Sequence, residues 1–131
     1  MKKNFFILSL LFLGACGLYE ENHRTVKYDL ENGSQVELRL YELEYPLMAK
    51  TLQVFVNGGY LNGKYCEDAN LRIFGNEIWS ETVKQNDLSA ITSGVVTFSG
   101  SQGQPTPYLC KYYYSKKKNG EWEKTDEWSA K

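Results

Sequence analysis

Residues 25–40 read Thr25-Val26-Lys27-Tyr28-Asp29-Leu30-Glu31-Asn32-Gly33-Ser34-Gln35-Val36-Glu37-Leu38-Arg39-Leu40. Val26, Tyr28 and Leu30 alternate with Thr25, Lys27 and Asp29; after Asn32-Gly33, Val36, Leu38 and Leu40 alternate with Gln35, Glu37 and Arg39. A period of two marks a strand with one face in the core and one in water. Both runs are therefore expected as half-buried strands. Directly opposed residues share a face of the sheet, so the Val26 set and the Val36 set must pair with an even index sum. A three-residue loop, Glu31-Asn32-Gly33, meets that condition, with Gly33 in the left-handed bulge position and Tyr28 opposite Val36.

Past this hairpin the apolar phase slips by one residue, to Tyr41, Leu43 and Tyr45, for which a bulge or a change of face near Leu40 is the simplest cause. Pro46 ends the run. Leu52–Val56 is the next strand, followed by turn signals at Asn57-Gly58-Gly59 and Asn62-Gly63. Leu71–Phe74 and Ile78–Val83 flank Gly75-Asn76 and read as a hairpin. A short helix near residues 77–86 is the rival, because Ile78, Trp79, Thr82 and Val83 also share a helical face. Val95–Phe98 is strand-like, and Ser99–Pro107 is a loop of Gly, Ser, Gln and Pro.

In the last hairpin Cys110, Tyr112 and Tyr114 share an inward face, Tyr113 points out, and Trp122 and Trp128 share one parity. A loop of Lys118-Asn119-Gly120 sets Lys117 opposite Glu121 and Lys111 opposite Glu127, both favourable cross-strand pairs. The expected class is all-β, a small antiparallel β-sandwich or barrel of about seven to eight short strands.

The N-terminus carries a different message. Lys2 and Lys3 precede the apolar run Phe5–Leu13, which is too short for a membrane-spanning helix of roughly 20 residues and fits a secretory signal. Leu13-Gly14-Ala15-Cys16 resembles the lipobox of bacterial lipoproteins. That resemblance implies that residues 1–15 are removed and that Cys16 becomes the acylated first residue of the mature chain. Two or three acyl chains, at about 0.8 kcal/mol per buried methylene, make a firm anchor. Gly17, in place of the Asp that in enteric bacteria resembles an inner-membrane retention signal, leans towards the outer membrane. Residues 16–24 then form the lipidated cysteine and its tether, and residues 25–131 a single β domain.

With Cys16 lipidated, two of the three cysteines remain, Cys66 and Cys110. In an oxidising compartment they are expected to pair, closing a loop of about 45 residues whose restraint amounts to some 4 kcal/mol on the chain-entropy model. The 15 basic and 16 acidic side chains nearly balance, and loss of Lys2 and Lys3 tips the mature chain further to the acidic side. A nucleic-acid binder would show a concentrated basic footprint instead.

Catalytic groups are scarce. The one histidine, His23, falls in the expected tether, which leaves a His-dependent serine or cysteine mechanism and a His/Cys metal site without their parts. Ser115-Lys116-Lys117-Lys118 resembles the Ser-x-x-Lys motif of penicillin-recognising enzymes, but it follows three tyrosines in a strand, away from the helix start that the motif requires. Glu67, Asp68 and Asn70 lack the spacing of a calcium loop and read as a solvated turn. Glu121, Glu123, Asp126 and Glu127 include candidates for a glycosidase carboxylate pair. They are better read as charge that protects a C-terminal strand from edge-to-edge pairing. No cofactor or metal is indicated.

One cluster suggests recognition: Tyr113, Lys116, Lys117, Lys118 and Trp122, with Gln102 and Gln104 on the neighbouring loop. Tyrosine and tryptophan are enriched where proteins meet partners. The sequence thus leads to the expectation of a non-enzymatic, lipid-anchored binding module of the cell envelope, most simply one that recognises a protein, as inhibitors and immunity lipoproteins do. The alternative is a structural or assembly accessory, or a surface adhesin or exclusion lipoprotein, of the outer membrane.

Overall fold

Six strands carry the chain in the computed structural model, which describes residues 23–43, 50–56, 66–99 and 110–129. They are β1 (His23–Asp29), β2 (Gln35–Leu43), β3 (Lys50–Val56), β4 (Ile91–Phe98), β5 (Cys110–Lys116) and β6 (Trp122–Ser129), with one helix, α1 (Ala69–Gln85), between β3 and β4. The strands lie side by side in chain order, antiparallel except for β3 and β4, which run parallel. Parallel neighbours need a long crossover, and α1 lies within it.

The protein is mostly β, but the expected sandwich or barrel gives way to one open mixed sheet of six strands among the described residues. Its ends, β1 and β6, do not pair with each other, so no barrel closes. The layer packed on the inner face is a helix.

The first hairpin has the expected register, with Tyr28 opposite Val36. Gly33 has φ 85°, and the turn is closed by Leu30 N–H donating to Ser34 O at 2.8 Å. β1 begins at His23, so His23 and Arg24 belong to the sheet and not to a tether. No bulge occurs near Leu40: β2 runs in unbroken register with both β1 and β3. The phase slip has another cause, a second apolar contact on the outer face. There Tyr41 stacks on His23 and meets Phe55 edge to face, both at 5.2 Å between ring centroids.

The hairpin expected around Gly75-Asn76 is instead the interior of a 17-residue helix. Asp68 caps it, its carboxylate accepting from Leu71 N–H at 2.9 Å. Leu71, Gly75, Ile78, Trp79 and Thr82 form one buried face. Glycine inside a helix costs about 1 kcal/mol relative to alanine. Here it admits a ring, since a Cβ on Gly75 would lie 2.7 Å from Cδ2 of Tyr112. At the far end Asn86 ties the helix to β1, accepting from Arg24 and donating to the Tyr28 hydroxyl, each at 2.8 Å.

Leu38, Leu52, Val54, Val96, Phe98 and Tyr112 fill the inner sheet face beneath Ile78, and all are buried. Cys66 and Cys110 form the expected disulfide, with Cα atoms 5.3 Å apart, stapling the approach to α1 to the first residue of β5.

The last turn, Lys118-Asn119-Gly120, has Lys117 N–H donating to Glu121 O at 2.7 Å and Gly120 at φ 90°. Further along, a bulge intervenes. Tyr114 faces Lys124 but Tyr113 faces Asp126, so Lys111 lies opposite Trp128 and not Glu127. Trp122 and Trp128 consequently fall on opposite faces of the sheet. The expected turns at 57–63, Pro46, most of the 99–107 loop and everything before His23 lie outside the described residues.

Candidate binding site

α1 covers the inner face of the sheet; on the outer face no described helix or strand packs. Alternation along the strands places there Arg39, Tyr41 and Leu43 from β2, Thr51, Gln53 and Phe55 from β3, and Ser93, Val95 and Thr97 from β4, of which Val95 and Thr97 are buried. β5 adds Lys111, Tyr113 and Ser115, and β6 adds Asp126 and Trp128 beyond the bulge. The middle of this surface is a depression of about 470 Å³, lined by Leu43, Thr51, Gln53, Ser93, Val95, Tyr113, Ser115, Thr125 and Asp126 among others.

Its floor is polar but internally satisfied in part, because the Thr51 and Ser93 hydroxyls bond each other at 2.7 Å. Tyr113 is 36 % and Trp128 48 % exposed, large apolar areas for a surface. Cations lie near two of the aromatic rings: Arg39 is 5.7 Å from the Phe55 centroid, and Lys111 Nζ is 5.9 Å from that of Trp128. Aromatic rings interspersed with Ser, Thr and Gln combine contact area with adaptable hydrogen bonding, the chemistry of protein-recognition surfaces.

The residues singled out in the sequence do not form one patch. Tyr113 belongs to the outer face. Lys116 and Trp122 belong to the inner side, where Lys116 Nζ donates to Leu88 O at 2.9 Å and lies 5.2 Å from the Trp122 centroid. Lys117 pairs with Glu123 at 3.7 Å, and Lys118 is exposed in the turn. Gln102, Gln104 and Cys16 lie outside the described residues. Tyr41, Gln53 and Phe55 were not singled out, and Trp128 was grouped with Trp122 on one arm of the hairpin; the phase slip at Tyr41 was the signal that a second face carries apolar side chains.

A second cavity, about 580 Å³, opens on the helix side between α1 and the β5–β6 hairpin. Trp79 forms its inner wall, stacked on Tyr114 at 4.9 Å and 8° and meeting Trp122 edge to face at 5.0 Å. The Tyr114 hydroxyl donates to Asn76 Oδ1 at 2.9 Å. Burial pushes the Tyr114 hydroxyl well above the usual phenol range, and the neighbouring Tyr112 adds to the shift. Tyr112 is raised in the same way, first by burial and then by Glu127.

The carboxylates of β6 are engaged. Glu127 accepts a bidentate pair from Arg72 at 2.7 and 3.1 Å and lies 3.6 Å from Lys124. Asp126 accepts from the Glu127 N–H at 2.8 Å. Ser115 sits in a strand opposite Ser93, and Asp68 is the cap of α1. Among the described residues no group of three or more His, Cys, Asp or Glu side chains is placed to hold a metal ion.

No protein-family model matches the sequence, and no curated protein or solved structure matches it significantly.

Proposed function

We propose that this chain is a lipid-anchored protein of the cell envelope, acylated at Cys16 and held at the outer membrane, that acts without catalysis by binding a protein partner in the manner of an inhibitor or immunity protein. The observation that supports this reading is the outer face of the sheet, where Tyr113 lines a depression with several hydroxyls and Tyr41, Phe55 and Trp128 stand on the same face, with no described helix or strand packed on it. Of the three exposed large hydrophobic side chains among the described residues, Ile73, Tyr113 and Trp128, the last two lie on this face.

Affinity capture from envelope extract and medium, using the full tagged chain, tests the reading. The chain should recover a stoichiometric partner, and Tyr113→Ala and Trp128→Ala should each weaken it by about 2 kcal/mol, roughly thirtyfold. Lys118→Ala, at the opposite end of the hairpin, should leave binding unchanged. Failure to recover a partner, with a weakened envelope on deletion of the gene, would replace this reading with that of a structural accessory. Mass spectrometry of the mature N-terminus tests the anchor separately, because a free Cys16 thiol contradicts it.

A further inference from the structure

The aromatic rings of the outer face differ in what already stands against them. Phe55 has the Arg39 guanidinium 5.7 Å from its centroid, Trp128 has Lys111 Nζ at 5.9 Å, and Tyr41 is stacked on His23. Tyr113, 36 % exposed at the depression, has neither a cation nor a second ring against it among the described residues. The carboxylates of β6 divide in the same way. Glu123 is 3.7 Å from Lys117, and Glu127 holds Arg72 and Lys124. Asp126, exposed at the same depression, has no ion pair among the described residues.

Register brings these two side chains together. Tyr113 lies directly opposite Asp126, a placement that sets Cβ atoms about 5 Å apart on one face of a sheet. Asp126 Oδ1 accepts from the Glu127 N–H, which leaves Oδ2 and a lone pair of Oδ1 for a further donor. The Thr51 and Ser93 hydroxyls, although bonded to each other, each keep a lone pair as well. A negative charge beside an open aromatic face suits a planar cation. A guanidinium meets both groups at once, because it stacks on a ring, forks to a carboxylate and is more weakly hydrated than an ammonium. The rim narrows the choice. Arg39 and Lys111 share this face and would repel a broadly basic surface, so the cation that fits is a single one with neutral or acidic neighbours.

We propose that the depression on the outer face receives one arginine side chain of the protein partner, its guanidinium over the Tyr113 ring and against the Asp126 carboxylate. At about 470 Å³ the depression has room for the guanidinium and its stem. The inference rests on the reading of the outer face as a protein-binding surface and adds the chemistry of its anchor.

The test needs no identified partner. The full chain in neutral detergent micelles is titrated at constant ionic strength with the peptide N-acetyl-Gly-Arg-Gly-amide, and the backbone amide resonances of Tyr113 and Asp126 are followed. Both should shift and saturate. The citrulline peptide, of the same shape without the charge, should bind about tenfold more weakly, and the lysine peptide about threefold more weakly. Asp126→Asn, which keeps an acceptor for the Glu127 N–H, should weaken the arginine peptide about tenfold, and Tyr113→Leu about threefold. Glu81→Gln, on α1 at the other side of the sheet, removes the same charge and should change nothing. Absence of a saturable shift, a citrulline or lysine peptide that binds as well as the arginine one, or unchanged affinity in Asp126→Asn overturns the proposal. A captured partner that is lost with Trp128→Ala yet indifferent to Asp126→Asn overturns it too, while leaving the protein-binding reading in place.

Discussion

Gly94→Ala probes how the helix is seated on the sheet. A Cβ at Gly94 would lie 1.9 Å from Cη2 and 2.4 Å from Cζ3 of Trp79. The indole edge would have to retreat by about 1.5 Å to regain van der Waals contact. It has little room to do so, being 3 % exposed and flanked by Tyr114 and Trp122. Overpacking of a closed site costs about 1–3 kcal/mol, and the depth of this clash places it near the top of that range. The expected loss, about 3 kcal/mol, corresponds to a fall in Tm of about 10 °C or more for a domain of this size. Gly33→Ala is the control: nothing lies within 4 Å of its Cβ position, and only its φ of 85° resists, worth about 1 kcal/mol. Urea unfolding of both variants measures the difference. In Trp79→Phe the smaller ring relieves the clash, so Gly94→Ala made on that background should lose at least about 1 kcal/mol less than on the native one. Additive losses in the double mutant, or a Gly94→Ala midpoint no lower than that of Gly33→Ala, would refute the wedge.

Replacing both Cys66 and Cys110 by alanine should lower stability by as much as about 4 kcal/mol in urea, the chain-entropy figure for their separation of 44 residues. An unchanged midpoint would remove the disulfide from the account of stability. Alkaline stability follows from Tyr112 and Tyr114, whose folded pKa values burial raises. The unfolded chain ionises its tyrosines near pH ~10, so the contribution of the pair is complete below that pH and is lost as the pH rises above it towards the folded values. Tyr112 and Tyr114 should ionise only with cooperative loss of the near-ultraviolet CD signal, and Tyr112→Phe should flatten the fall. Ionisation of both near the ordinary value in an intact fold would contradict this.

Both hairpin turns are legible in the sequence because their determinants are local. Asn32-Gly33 and Asn119-Gly120 supply the positive φ, and parity on either side supplies the register. α1 is not legible for the opposite reason. Gly75-Asn76 has the composition of a turn, while the cause of its glycine is the ring of Tyr112, on a strand that follows later in the chain. Once 71–83 is read as strand, the parallel pairing of β3 with β4 is lost as well, since that pairing depends on a crossover. The outer face was visible only as an anomaly, the displaced phase at Tyr41, and a bulge was the wrong explanation because β2 has two regular neighbours.

The real bulge, in β6, shows what local periodicity cannot contain. Glu123-Lys124-Thr125-Asp126-Glu127 is polar at every position, so a slip of one residue leaves no trace in the pattern. Its cause is distant. The slip turns Glu127 inwards, where it receives the guanidinium of Arg72 on α1, and turns Ser129 inwards, where its hydroxyl accepts from Cys66 N–H at 2.9 Å beside the disulfide. In unbroken register those two side chains would face away, and Trp128 would stand where the start of the helix is already packed. One extra residue therefore satisfies the polar groups at the helix start and, by the same displacement, delivers Trp128 to the outer face while Trp122 stays against Trp79. The separation of the two candidate sites is a consequence of how β6 meets the helix, and a sequence reading that kept the tryptophans in phase had to merge them.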